Sequence, residues 1–84
     1  MDRNEVKKLL EIAKGQLNGI GKMLDEGVYC IDISNQLLAS IALLKKANVV
    51  LLDQHLKHCV LNATSREERE EKLEEISKVI SKVM

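Results

Sequence analysis

An all-α fold with three helices per chain is predicted by three features of this 84-residue sequence. There is no proline and there are only four glycines, so little interrupts a helical backbone. The hydrophobic residues, 45% of the chain, recur at three-and-four spacing instead of alternating. Aromatic residues make up 1%, a single Tyr, which removes the largest core-filling side chains. A single domain over residues 1–84 therefore has little buried volume to set against its conformational entropy. Two cysteines make at most one bridge, so metal or self-association is the expected support.

The first helix runs from Asn4 to about Asp25, with Val6, Leu9, Leu10, Ala13, Leu17, Ile20 and Leu24 along one face. Gly15, Gly19 and Gly21 lie inside it, each costing up to about 1 kcal/mol against Ala, which implies either close helix contact or fraying. Asp25-Glu26-Gly27 is a stop signal, with Gly27 suited to a left-handed cap. Val28 and Tyr29 make a short connection. From about Cys30 to Leu61 neither Gly nor Pro occurs, and Ile33, Leu37, Ile41, Leu44, Leu51, Leu52, Leu56 and Val60 keep a helical period. Asn62-Ala63-Thr64-Ser65 ends this second helix. Ser65 followed by Glu68 has the form of a capping box opening a third, which runs to the end with Leu73, Ile76, Val79, Ile80 and Val83 as its apolar stripe.

A helix of about 30 residues is some 45 Å long, more than a compact chain of this size can cover. Two copies lying antiparallel would form a four-helix-bundle dimer and cover the apolar stripes. Formal net charge is zero, so the whole-chain balance gives no support for nucleic-acid binding. The segment from Glu67 to Glu75 is mostly acidic, leaving a positive share on the first two helices. No apolar run near the roughly 18 residues of a membrane span is expected, and Met-Asp-Arg-Asn-Glu lacks the apolar core of a signal peptide. A cytoplasmic protein with reduced thiols follows.

His55 and Cys59, four apart, stand one above the other on the second helix and can chelate, although a histidine beside a buried free cysteine fits the spacing too. Cys30 alters that balance. On an unbroken helix it lies roughly 44 Å from Cys59, so the two meet only between chains. In an antiparallel dimer with its two-fold near Leu43 and Leu44, Cys30 falls beside Lys57 of the partner subunit, between the positions of that subunit's two donors. Each of two identical sites then has two thiolates and one imidazole, a set that suits Cu(I), whereas Zn(II) would want a fourth ligand. His58 is rotated about 100° from Cys59 and reads as surface or packing. Asp32 and Asp53 read as a helix-start residue and a solvated charge.

Tyr29-Cys30-Ile31-Asp32-Ile33, Gln36 and His55-Leu56-Lys57-His58-Cys59-Val60, with Gly15-Gln16 and Gly19-Ile20 upstream, resemble the CsoR/RcnR family of metal-sensing transcriptional repressors, in its copper-sensing branch. The resemblance spans most of the first two helices. It implies a helical dimer that pairs into a homotetramer, binds operator DNA without inducer and releases it when the inducer binds. It also implies Cu(I) ligands at Cys30 of one subunit and at the positions of His55 and Cys59 in the other, with Tyr29 and Glu75 linking the site to the third helix. The nickel and cobalt branch would use a histidine near the N-terminus, where Asp2, Arg3 and Asn4 stand. The formaldehyde branch lacks a cysteine at the position of Cys59, and the persulfide branch a histidine at that of His55.

One departure bears on the DNA. Arginines usual in the family are replaced by Ile12 and Asn18, with Glu11 and Lys14 nearby, while Lys7, Lys8, Lys22, Lys45 and Lys46 remain, Lys46 at a basic position tied to DNA binding. Phosphate contacts by Lys and Arg dominate affinity, so losing two arginines should weaken binding. The expected function is a Cu(I)-responsive repressor with Lys7, Lys8, Lys14, Lys45 and Lys46 facing DNA. The alternative is a copper-binding or thiol-redox helical oligomer with weak or no DNA binding. An enzyme has no support, because the donor set comes with no general base or substrate cleft.

Overall fold

The computed structural model describes residues 3–83 and has three helices: α1 (Asn4–Asp25), α2 (Cys30–Leu61) and α3 (Arg66–Val83). The helix boundaries fall where the stop and cap signals put them. The side chains of Val60 and Val83, read above as stripe positions, lie outside the described residues.

Gly27 ends α1 at φ +69°, the left-handed region that side chains with a Cβ disfavour. Val28 N–H donates to the Met23 carbonyl at 3.0 Å and Gly27 N–H to that of Leu24 at 3.2 Å, the paired bonds of a Schellman turn. At the start of α2, Asp32 and Ile33 N–H groups donate to the Tyr29 carbonyl, and the Asp32 carboxylate sits in the first turn, where the helix dipole favours it. The cap of α3 differs from the expected box in one leg. Glu68 N–H donates to Ser65 Oγ at 3.1 Å as foreseen, but the Glu68 carboxylate reaches past Ser65 and accepts from the Thr64 hydroxyl at 2.9 Å and the Thr64 N–H at 3.2 Å. Both Thr64 donors act on one oxygen, so the longer reach satisfies two groups instead of one.

α1 and α3 each pack on α2 and not on each other. The buried core is thin: Ala13 and Ile20 from α1, Ile33 and Ala47 from α2, and Ile76 from α3, with Ser40 the buried polar residue. Of the helix-one stripe, which was expected to be covered by a second copy, Leu10, Leu17 and Leu24 are exposed in the single chain. One turned-back chain cannot enclose both sides of α2. Gly15, Gly19 and Gly21 have no atom within 4 Å of where a Cβ would stand, so no close helix contact inside the chain explains them.

The shape is a slab of 57 × 24 × 11 Å with a radius of gyration of 17.2 Å, against about 12 Å for a compact chain of this length. Its accessible surface of 6492 Å² exceeds the roughly 5,000 Å² of a globular protein of this mass. That excess is larger than the approximately 800 Å² each partner buries in a standard interface. Along α2, Leu37, Leu38, Ile41, Leu44 and Val49 are 43% to 59% exposed.

The expectation of no membrane-length apolar run needs correction: Cys30–Cys59 is long and apolar enough, at a mean hydropathy of 1.2, to meet that criterion by length and composition. Lys45 and Lys46 fall at the middle of the stretch, where each charge would cost on the order of 2.5–3.5 kcal/mol in a bilayer. The apolar sides of α2 serve helix packing instead: α1 covers one and α3 part of another.

Replacing Gly27 with Ala should destabilise the chain by about 1–2 kcal/mol, read from denaturant unfolding, because Ala pays the left-handed penalty while leaving every contact in place. The second prediction concerns pH. The Thr64 hydroxyl and N–H hold the Glu68 carboxyl below its ordinary value. A carboxyl lowered in the folded state stabilises above its unfolded value and loses that contribution as pH falls through the folded one. The helicity gap by circular dichroism between wild type and Glu68→Ala should therefore be widest near neutrality and narrow in acid; a gap independent of pH would refute the anchor.

Candidate metal centre

His55 and Cys59 lie one turn apart near the C-terminal end of α2, both half-buried. Cys59 Sγ stands 3.4 Å from His55 Nε2 and 3.6 Å from Nδ1. An ion held by one imidazole nitrogen and one thiolate at ordinary bond lengths sets those atoms about 3.5–3.7 Å apart. The distance between the two donors is thus close to the separation a shared ion needs. A thiolate and an imidazole are soft and borderline donors, a set fitted to Cu(I) or Zn(II) and not to hard cations.

Cys30 is the first residue of α2 and is exposed. The helix is continuous over all 32 of its residues, so Cys30 lies roughly 44 Å from Cys59 along the axis. Among the described residues of one chain, no three His, Cys, Asp or Glu side chains gather to hold an ion. Cys30, His55 and Cys59 nevertheless project from one side of α2, since their positions differ by near-whole numbers of turns. Ile41 and Leu44 lie between them on that side and are exposed.

His55 also faces a groove between α2 and α3 of about 430 Å³, lined by Leu52, His55, Glu75, Ile76, Lys78 and Val79. The structure thus brings Glu75 to the histidine's groove, where its carboxylate pairs with Lys72 Nζ at 3.8 Å. Tyr29 is 68% exposed at the opposite end of α2, so within one chain it is far from both. His58 is exposed, and its carbonyl accepts from the Asn62 side chain and N–H.

Lys7, Lys8, Lys14, Lys45 and Lys46 are all exposed. Lys7 and Lys8 line a shallow depression of α1 with Asn4, Glu11 and Ile12. Ile12 and Asn18, standing where arginines were expected, are exposed as well.

One pairing escaped the sequence analysis. Ser40 Oγ–H donates to Gln16 Oε1 at 2.9 Å, joining α1 to α2, and Ser40 is 2% exposed. Its signal was available: Ser40 stands seven residues from both Ile33 and Ala47, on the buried side of α2.

A family profile described as metal-sensitive transcriptional repressor matches residues 2–82. The chain belongs to this family. Members similar to this chain include the copper-sensing transcriptional repressor RicR of Mycobacterium tuberculosis, 38% identical over 63 residues, covering 75% of this chain and 66% of that protein. The copper-sensing transcriptional repressor CsoR of Bacillus subtilis is 31% identical over 81 residues, 96% of this chain and 80% of that protein. The CsoR of Mycobacterium ulcerans is 44% identical over 50 residues, 60% of this chain and 43% of that protein. The matched stretch thus spans between under half and four fifths of these three relatives.

Proposed function

We propose that this chain is a Cu(I)-responsive transcriptional repressor, cytoplasmic and at least dimeric, that binds operator DNA without metal and is released when Cu(I) binds. The observation that carries this reading is the His55–Cys59 pair, set 3.4 Å apart on an unbroken helix whose far end exposes Cys30. The relatives named as copper-sensing repressors agree with it.

In the proposed site, His55 and Cys59 of one subunit form a half-site and Cys30 of the antiparallel partner closes it, twice per dimer. Cu(I), when bound, supplies a soft centre content with two thiolates and one imidazole. The protein's own contribution is positional. α2 acts as a ruler that presents both halves of the site at once, and the exposed Leu37, Ile41 and Leu44 between them supply apolar area for the pairing. Glu75 shares the groove of His55 and links the site to α3, and Tyr29 comes with the partner's Cys30 to the same end. Closing Cys30 onto the partner's half-site therefore alters how the ends of α2 and α3 pack, while Lys7, Lys8, Lys14, Lys45 and Lys46 face the DNA. Linkage demands reciprocity: if copper weakens operator binding, operator DNA weakens copper binding by the same factor.

Zero net charge, with Ile12 and Asn18 in place of arginines, favours a second reading, a copper-binding or thiol-redox homodimer or homotetramer that reads DNA weakly or not at all.

Two measurements test these readings. Cys30→Ala and Cys59→Ala variants should each fail to form a three-coordinate copper site alone. Mixed and refolded together, they should regain one whole site in the heterodimer, seen by X-ray absorption; no recovery would refute the shared site. A fluorescent duplex from immediately upstream of the reading frame should bind the metal-free protein with a steep salt dependence and be released by one Cu(I) per subunit. Copper binding that leaves duplex affinity unchanged would favour the second reading.

A further inference from the structure

Among the described residues, the Ser40–Gln16 side-chain hydrogen bond joins α1 to α2. The other side-chain hydrogen bonds and ion pairs, Asn4 aside, connect residues three or four apart, within a helix or its cap. The buried residues beside this pair on α1 and α2 include Ala13, Ile20, Ile33 and Ala47, small or aliphatic side chains with no hydrogen-bonding groups. A directional polar pair resists rotation of one helix on the other more than apolar contacts do, because turning α1 leaves the Ser40 hydroxyl unpaired away from water.

The pair sits near the middle of α1. Its C-terminal end is fixed by the Gly27 turn and the short connection to α2. Its N-terminal end has no side-chain cap from Arg3. Gln16 lies between these ends, and Lys7, Lys8 and Lys14 all stand on the N-terminal side of it. Lys45 and Lys46 follow Ser40 on α2 by little more than one turn.

We infer that the Gln16–Ser40 bond is a register pin for operator binding: it sets the rotation of α1 on α2 and thereby the placement of Lys7, Lys8 and Lys14 against Lys45 and Lys46. Both are positioning residues. Ser40 is too deeply buried to touch DNA, and neither residue is part of the proposed metal site. The inference rests on the DNA-binding reading above.

Without the pin, α1 samples several rotations and only a fraction of molecules presents the lysines correctly, so apparent operator affinity falls by that fraction while the bound complex is unchanged. The test is Ser40→Ala in the full chain, with Gln16→Met and the double variant. Metal-free Ser40→Ala should bind the upstream duplex about three- to ten-fold more weakly, the range that one buried hydrogen bond gives. The slope of log affinity against log salt should stay at the wild-type value, since the same phosphates are contacted. Cu(I) affinity should not change, and Gln16→Met should add little once Ser40 is Ala. Hydrogen exchange should quicken in the N-terminal half of α1 and not in α3.

Several results would overturn the pin. They are wild-type affinity in Ser40→Ala, a smaller salt slope, equal losses in copper and operator binding, additive losses in the double variant, or unchanged exchange in α1. If the wild-type protein itself does not bind the duplex, the DNA reading fails and the role in operator binding fails with it. The exchange measurement then still reports whether the bond holds α1, so the two failures are told apart.

Discussion

The continuity of α2 is the constraint from which the rest of this molecule follows. A straight helix of 32 residues keeps its two ends roughly 48 Å apart whatever else the chain does. Every hydrogen bond inside it adds to the stiffness of that ruler. Cys30 is fixed at one end and His55 with Cys59 at the other, and no loop exists that could fold the first onto the second. A three-donor site built from these residues can be completed only by a second chain, so metal binding and association become one event in the proposed mechanism. The thermodynamic consequence is that anything weakening the pairing of the two copies weakens the metal site too, and the reverse.

The same helix explains why the single chain looks unfinished. α1 and α3 lie against different parts of α2 and do not meet, so the core has no third wall. Five buried apolar residues, none of them larger than Ile, are a small return for ordering more than 80 residues. In the proposed dimer the exposed leucines and isoleucines of α2 are one half of the interface, and the surface in excess of a globular chain is of the size that a stable dimer buries. The low aromatic content fits this economy, since a bundle assembled from long helices fills its interior with many medium-sized side chains from several copies.

Polar chemistry is concentrated where apolar packing leaves something undecided. The Schellman turn at Gly27 and the Thr64–Glu68 anchor mark where helices stop and start. The Ser40–Gln16 bond lies at the α1–α2 interface among apolar side chains that offer no hydrogen bond of their own. His55 joins two environments, with its ring nitrogens toward Cys59 and its side chain on the α3 groove that Glu75 shares. In the proposed mechanism a change at the first is felt at the second without any long-range relay.

By itself the sequence determined the helices and their limits, because caps, glycines and a three-and-four period are local signals that need no knowledge of neighbours. It determined the candidate donors for the same reason: Cys30, His55 and Cys59 are read off as residue types at helical spacing, and the length between them forbids a site within one chain. Tertiary structure alone decided which parts of the stripes are covered. Periodicity gives the direction of an apolar face but not how much surface of the same chain arrives to cover it, so Leu10, Leu17 and Leu24 share a stripe with Ala13 and Ile20 and stand exposed in the single chain. It likewise decided that Glu68 reaches Thr64, that Gln16 meets Ser40 and that Glu75 shares a groove with His55. Each of these depends on side-chain directions or on the approach of two helices, which residue spacing along one helix does not encode.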